Sequence, residues 1–202
     1  MQLPLPEPKT WGGRRDGAGR KARAGRRDGK HRTRAAHAPP HPVHVVLRSK
    51  MRSLRSPFIF PTVRQALIKA ASARLDFRIL HFSVQADHVH LIVEADSHIG
   101  LARGIQGLAI RTARALNRLL LRHGSLWSSR YFSRALTTPR EVKNAIAYVL
   151  NNFRKHGECV HGNLDPCSSS VCDISAPQTW LARSATRIKP AQSSNPSQCS
   201  LV

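Results

Sequence analysis

Asp87-His88-Val89-His90-Leu91-Ile92-Val93-Glu94 is the stretch that decides how this chain folds. Alternation through it is strict: His88, His90, Ile92 and Glu94 fall on one side, Val89, Leu91 and Val93 on the other. An extended strand repeats every second residue, so it buries the Val/Leu/Val side and presents both imidazoles together on the opposite face. Two neutral imidazoles spaced this way can share one divalent metal and leave positions open for a substrate oxygen. They can equally be two surface histidines of an edge strand, because the chain holds 11 histidines. What the rest of the chain supplies decides between these readings.

Upstream, Phe77 to Val84 reads as a second strand, joined to the first by Gln85-Ala86-Asp87 in an antiparallel hairpin. Pro42-Val43-His44-Val45-Val46-Leu47-Arg48 is rich in β-branched residues and predicts the opening strand. Ser49 to Pro61 reads as a basic loop, and Val63 to Leu75 has helical spacing. Downstream, a long helix is expected from Gly100 to His123, with Gly124 placed to cap it. Its buried stripe is Leu101, Ile105, Leu108, Thr112, Ala115 and Leu119; Arg111, Arg114, Arg118 and Arg122 line another face. That arginine row can grip a nucleic-acid backbone or be a solvated helix face.

Leu126 to Leu136 reads as a strand in which Trp127, Tyr131 and Phe132 interleave with Arg130 and Arg134. Thr138-Pro139-Arg140-Glu141 then carries an N-cap, a proline for the first helical position and the glutamate of a capping box. Gly157 is placed to end that helix. Val142, Ile146, Val149 and Phe153 form its apolar stripe, with Asn144, Tyr148, Asn152 and Lys155 on a polar face. Strand, helix, hairpin, helix, strand, helix predicts an α+β domain: a small antiparallel sheet with helices packed on one face and the other face available to a ligand.

The predicted division is a disordered basic arm over 1–40, the domain over 41–157 and a mostly disordered tail over 158–202. Gly12 to Lys21 has too little apolar surface to offset its ordering entropy. In the tail only Trp180-Leu181-Ala182 is expected to dock back. Cys159, Cys167, Cys172 and Cys199 form no CxxC pair, so reduced thiols in a loose tail are expected. Across 202 residues, Lys+Arg 33 against Asp+Glu 11 gives +22. That balance points to a polyanion, nucleic acid first, and an anionic membrane surface is the weaker reading. With no apolar run of spanning length and no signal-peptide core, a cytoplasmic, nucleoid-associated protein is expected.

Tyr148 and Asn152 are one helical turn apart and project in the same direction. If their helix crosses the open sheet face, Tyr148 meets a phosphate polarised by a metal on His88 and His90, with Asn152 as third ligand. A hard divalent ion with oxygen and imidazole ligands suits phosphodiester chemistry, and tyrosine is a suitable nucleophile for it. The plainer reading of Tyr148 is an amphipathic residue half-buried beside Val149.

In these residues the chain resembles a family. His88-Val89-His90 is similar to the His-hydrophobe-His motif of single-tyrosine HUH transposases, and Tyr148-Val149-Leu150-Asn151-Asn152 to their nucleophile helix. The REP-associated tyrosine transposases, a bacterial subgroup, also resemble it over Gly12 to Lys21, His41 to Val45, Trp127 to Leu136 and Thr138 to His156. The resemblance implies a ferredoxin-like sheet with helices behind it, and metal-dependent cleavage and rejoining of single-stranded DNA at palindromic hairpins. It assigns Tyr148 as the nucleophile leaving a 5′-phosphotyrosine, with His88, His90 and Asn152 holding Mg2+ or Mn2+. Asn152 stands where the wider family often has glutamine, and Phe132 where relatives often have histidine. Arg111, Arg114, Arg118, Arg130, Arg134 and Lys155 are the expected DNA contacts. Relatives are often dimers, and no residue here decides between monomer and homodimer. The rivals are a domesticated, non-catalytic DNA-hairpin-binding protein and an RNA-binding protein using exposed aromatics on its central strands. A rolling-circle initiator or relaxase, usually longer, places its tyrosine and histidines differently.

Overall fold

The computed structural model describes residues 38–155, 164–171 and 174–186. The basic arm up to residue 37, Gly157 and the cysteines Cys159, Cys172 and Cys199 lie outside them. Four strands, β1 (Val43–Arg48), β2 (Phe77–Val84), β3 (His88–Ala95) and β4 (Phe132–Ala135), form one sheet in the order β2-β3-β1-β4. Every neighbouring pair is antiparallel. The helices are α1 (Phe60–Ala71), α2 (His98–Leu119), α3 (Pro139–Lys155) and α4 (Trp180–Thr186). No helix among the described residues is long and apolar enough to cross a membrane.

The alternation of β1 and β3 sets the layers. Val43, Val45 and Leu47 of β1 and Val89, Leu91 and Val93 of β3 share one buried cluster with Leu67 of α1 and Ile105, Leu108 and Leu116 of α2. Each large apolar side chain so removed from water contributes about 1.5–3 kcal/mol. Gly104 lets α2 approach β2 closely, since a Cβ there would overlap the Phe77 ring.

The opposite face is not left bare. The sequence reading packs the helices on one face of the sheet; α1 and α2 lie there, but α3 crosses the second face and builds its own small core. Val142 and Val149 of α3 pack with Ile92 of β3 and Leu80 of β2. A register irregularity between Ile79 and His81 accompanies the delivery of Leu80 to that face. The start of α3 is capped as its sequence requires: Glu141 N–H donates to Thr138 Oγ1 (3.2 Å), and Thr137 N–H donates to Glu141 Oε2 (2.8 Å).

Several element boundaries differ from the sequence reading. α1 runs from Phe60 to Ala71 instead of Val63 to Leu75, with Pro61 in its first turn where the missing N–H is not needed. α2 ends at Leu119 rather than His123: Leu121 takes a left-handed φ of 48°, and Gly124, at φ 93°, turns the loop instead of capping the helix. The last strand shrinks to Phe132–Ala135. Before it, Ser125 and Ser128 hydroxyls donate to the carbonyls of Trp127 and Arg48, and Trp127 Nε1 donates to Ala109 of α2. These side-chain bonds compete with a regular ladder.

The largest difference is after α3. Much of the segment expected to be loose is docked. Asp165, fully buried, receives two guanidinium bonds from Arg55 (2.8 and 3.0 Å). Val84 N–H donates to Cys167 O (2.9 Å), and Phe82 N–H to Ser169 Oγ (3.1 Å), so this segment covers the outer edge of β2. Cys167 is therefore buried within this docked segment rather than lying in a loose tail. Glu94, also fully buried, accepts from Gln178 N, Thr179 N and Thr179 Oγ1 and thereby fastens the start of α4. Leu181 and Ala182 then join the core beneath α3, whereas Trp180, expected to dock with them, is exposed. Because Arg55 is itself mostly buried, Asp165→Ala should cost about 3–5 kcal/mol of stability. Urea denaturation at neutral pH measures it; an unchanged midpoint would show that the clasp contributes nothing.

Candidate active site

The strand register gathers one set of side chains on the α3 side of the sheet. Residues directly opposite in an antiparallel pair point the same way, and β1 pairs with β3 as Val46↔His90 and Arg48↔His88. His44, Val46 and Arg48 therefore share a face with His88 and His90. The His88 and His90 rings meet edge to face, centroids 4.7 Å apart. His44 stacks on His90 at 5.3 Å and 17°, with His44 Nε2 3.1 Å from His90 Nδ1.

Tyr148 comes to this face from α3. Its ring stands edge-on to His90, centroids 5.4 Å apart, and to His44 at 6.0 Å. The side chain is 38 % exposed and borders one hollow with His88, His90, Arg48 and Arg52. It also borders a second with His44, Arg134, Glu141 and Asn144. A phenol at the meeting of two open hollows, beside three imidazoles, is reachable by a polymer that runs across the surface.

Electrostatics order the imidazoles. His88 Nδ1 lies 2.7 Å from Asp87 Oδ1, and Arg48 Nη2 lies 3.3 Å from Asp87 Oδ2. The His88 hydrogen bond, with Arg48 beside it, holds the Asp87 carboxyl below its usual range. Burial, with the nearby positive Arg134, pushes His44 below the ordinary imidazole value, so His44 is neutral near pH 7. With Nδ1 engaged in both His88 and His90, Nε2 is the donor atom each offers a cation.

Asn152 behaves differently from the polar-face residue expected of it. It is 1 % exposed, and neither its amide oxygen nor its amide nitrogen has a hydrogen-bond partner among the described residues. A buried amide in that state ordinarily marks a missing ligand or water. Among the described residues no three His, Cys, Asp or Glu side chains come together as a metal site. His88 and His90 offer a cation two imidazole nitrogens beside the hollow, donors that divalent ions with their water shells accept, so these two residues fit the group.

Residues 40–152 match the family described as Transposase IS200 like. The chain belongs to the IS200-like transposase family. None of the curated proteins matches it. Among solved structures, a REP-associated tyrosine transposase bound to a REP hairpin superposes with a TM-score of 0.59 at 18% identity, covering 69% of this chain and 82% of that one. A candidate transposase from Deinococcus radiodurans R1 gives a TM-score of 0.40 at 13% identity, covering 66% of this chain and 99% of that one. The first likeness shows that this IS200-like transposase has the fold of REP-associated tyrosine transposases: a four-stranded antiparallel sheet with helices.

The residues expected to touch DNA do not form one surface. Arg134 faces the site and is bonded to Glu141 at 2.7 Å, while Arg130 is exposed on the loop before β4. Arg111, Arg114 and Arg118 are exposed on α2, in the layer on the other side of the sheet. The Lys155 side chain is outside the described residues. Tyr131 packs against the α1–α2 core, whereas Phe132, paired with Val46, is 59 % exposed. The two central strands, β1 and β3, carry no Phe, Tyr or Trp, which removes the stacking platform of the RNA-binding rival. His44 is the functional candidate that the sequence reading passed over. Its signal was available, since it alternates with Val43 and Val45 as His88 and His90 alternate with their neighbours.

Proposed function

We propose that the protein cleaves and rejoins single-stranded DNA flanking hairpins, with Tyr148 as nucleophile and His88, His90 and Asn152 as the holders of Mg2+ or Mn2+. The observation that carries this reading is the Tyr148 ring set against His90 on the face that also presents His88. Tyr148 Oη attacks a phosphodiester phosphorus, giving its proton to solvent. The new O–P bond replaces the bond to the 3′ oxygen, which leaves as a hydroxyl after taking up a proton. One phosphodiester is exchanged for another, so the same 3′-hydroxyl or a different one can attack the phosphotyrosine and restore the chain. A bound divalent ion would supply charge neutralisation at the non-bridging phosphate oxygens. Arg48 and Arg52 border the hollow and steer the phosphate towards it. Hairpin DNA is the proposed partner because the structural relative named above was bound to one.

His44 positions His90 in this scheme. For His90 to offer Nε2, its Nδ1 must carry the proton and donate it to His44 Nε2, which neutral His44 can accept. His44→Leu should weaken Mn2+ binding about 10–100-fold in calorimetry, and His44→Gln, whose amide oxygen can accept the same bond, should recover part of it. Equal losses in both variants would reduce His44 to a packing residue. The function itself is tested by incubating hairpin DNA that has a single-stranded flank with protein and Mg2+ or Mn2+. Nicked product with a free 3′-hydroxyl is expected. Tight binding with no nick would leave the non-catalytic hairpin-binding reading in its place.

A further inference from the structure

We infer that the hollow between β4 and α3 is a pocket for one unpaired nucleobase, the one adjoining the scissile phosphate. In it the Asn144 amide reads the edge of the base and the Phe132 ring stacks against its face. The inference rests on the proposed cleavage of a single-stranded flank and deepens it, giving roles to two residues that the cleavage scheme leaves unused.

The two hollows that meet at Tyr148 differ in charge. Val46, His90 and Tyr148 border both. The first sets the guanidinium groups of Arg48 and Arg52 against the single carboxylate of Asp87, so a phosphate is attracted there. In the second, Arg134 and Glu141 are bonded to each other at 2.7 Å, and their charges cancel. That hollow encloses about 450 Å³, within the range of small-molecule sites, roughly 300–1,000 Å³. The rest of its lining mixes apolar Val46, Leu136 and Ala145 with the exposed amide of Asn144. A flat, uncharged group with a polar edge matches such a lining, and the base is the uncharged part of a nucleotide. Because the hollows share the wall formed by Tyr148, a nucleotide whose phosphate lies in the first carries its base towards the second.

Asn144 stands one turn of α3 before Tyr148, so the two side chains project to the same side of the helix. Its amide sets a donor and an acceptor side by side, the arrangement that meets a base edge through two hydrogen bonds. Only an unpaired base has its pairing edge free for this. Phe132 supplies the stacking surface. It lies opposite Val46 in the β1–β4 pair, hence on the face that carries Tyr148, and it is 59 % exposed. Neither apolar cluster includes it, so its ring stays in water until something planar covers it. Arg134 follows two residues later on the same face of β4, and an aromatic ring beside a guanidinium group is how unpaired strands are held.

The test is a fluorescence-anisotropy titration of the full chain on hairpins with a single-stranded flank, without added metal so that the DNA stays intact. Each flank position in turn receives each of the four bases or an abasic site. At one position the abasic site should weaken binding about 5–100-fold, the loss of one stacked base. Phe132→Ala should weaken binding to the intact flank by a similar factor, and the abasic site at that position should then have no further effect. Phe132→Tyr, which keeps a ring, should bind as the native chain does. Asn144→Ala should remove the preference among the four bases at that position alone. Circular dichroism melting verifies that all three variants are folded. An abasic site tolerated at every position would overturn the inference, as would a base preference that survives Asn144→Ala or an abasic penalty undiminished in Phe132→Ala. Cleaved DNA with no base-sensitive position would keep the cleavage reading and remove the pocket, and base-sensitive binding without a nick would do the reverse.

Discussion

Tyr148→Phe should abolish covalent capture of DNA and leave hairpin binding nearly intact. The substitution removes one oxygen and keeps the ring that stands against His90 and His44, so the packing of α3 on the sheet is preserved. Without Oη no atom is placed to form the bond to phosphorus, and the reaction stops before its first step. The chain's only other tyrosine cannot take over, because Tyr131 packs against the core beneath α1 and α2 on the far side of the sheet. Labelled hairpin DNA run on a denaturing protein gel reads the result. An adduct of undiminished yield in Tyr148→Phe would reject the assignment.

His88→Ala has the next largest expected effect. It removes one of the two imidazole donors and one of the two hydrogen-bond partners of Asp87 in the same step. Metal affinity should fall by more than the roughly 10–100-fold typical of removing a mere supporting group, and cleavage should fall with it. Calorimetry with Mn2+ and a nicking assay at matched metal measure the two quantities separately. Full cleavage in this variant would remove the metal from the mechanism. Cleavage abolished with metal binding unchanged would instead make His88 a phosphate-binding group.

How much of this was legible in the sequence depends on the range of the interaction. The β2–β3 hairpin is local: its alternation and its short turn are contiguous, and its strands match the structure closely. The start of α3 is equally local, since Thr138, Pro139 and Glu141 carry the capping signal within four residues. His44 was missed because its relevance depends on β1 lying beside β3, a pairing between residues 46 apart. Helical spacing puts Asn152 one turn from Tyr148 on a polar face, but that spacing carries no sign of its burial. The docked segment after α3 has little periodicity. Its order comes from single polar anchors, Arg55 on Asp165 and Glu94 on Thr179, which leave no pattern in a window of neighbours.

The boundaries that moved have a related cause. Gly124 is a good helix terminator in isolation, yet Leu121 turns left-handed first and Asn117 Nδ2 donates to Gly124 O (2.9 Å), closing the end differently. The stretch before β4 has strand-like composition, but its serine hydroxyls and the Trp127 indole satisfy backbone carbonyls elsewhere.

Mass spectrometry of the protein–DNA adduct tests the central claim most directly. Wild-type protein, incubated with hairpin DNA bearing a single-stranded flank and Mn2+, would be digested with protease and nuclease. The expected product is a peptide containing Tyr148 with a nucleotide joined to it through its 5′ phosphate. A nucleotide on Tyr131, on any serine, or on no residue despite cleaved DNA would contradict it.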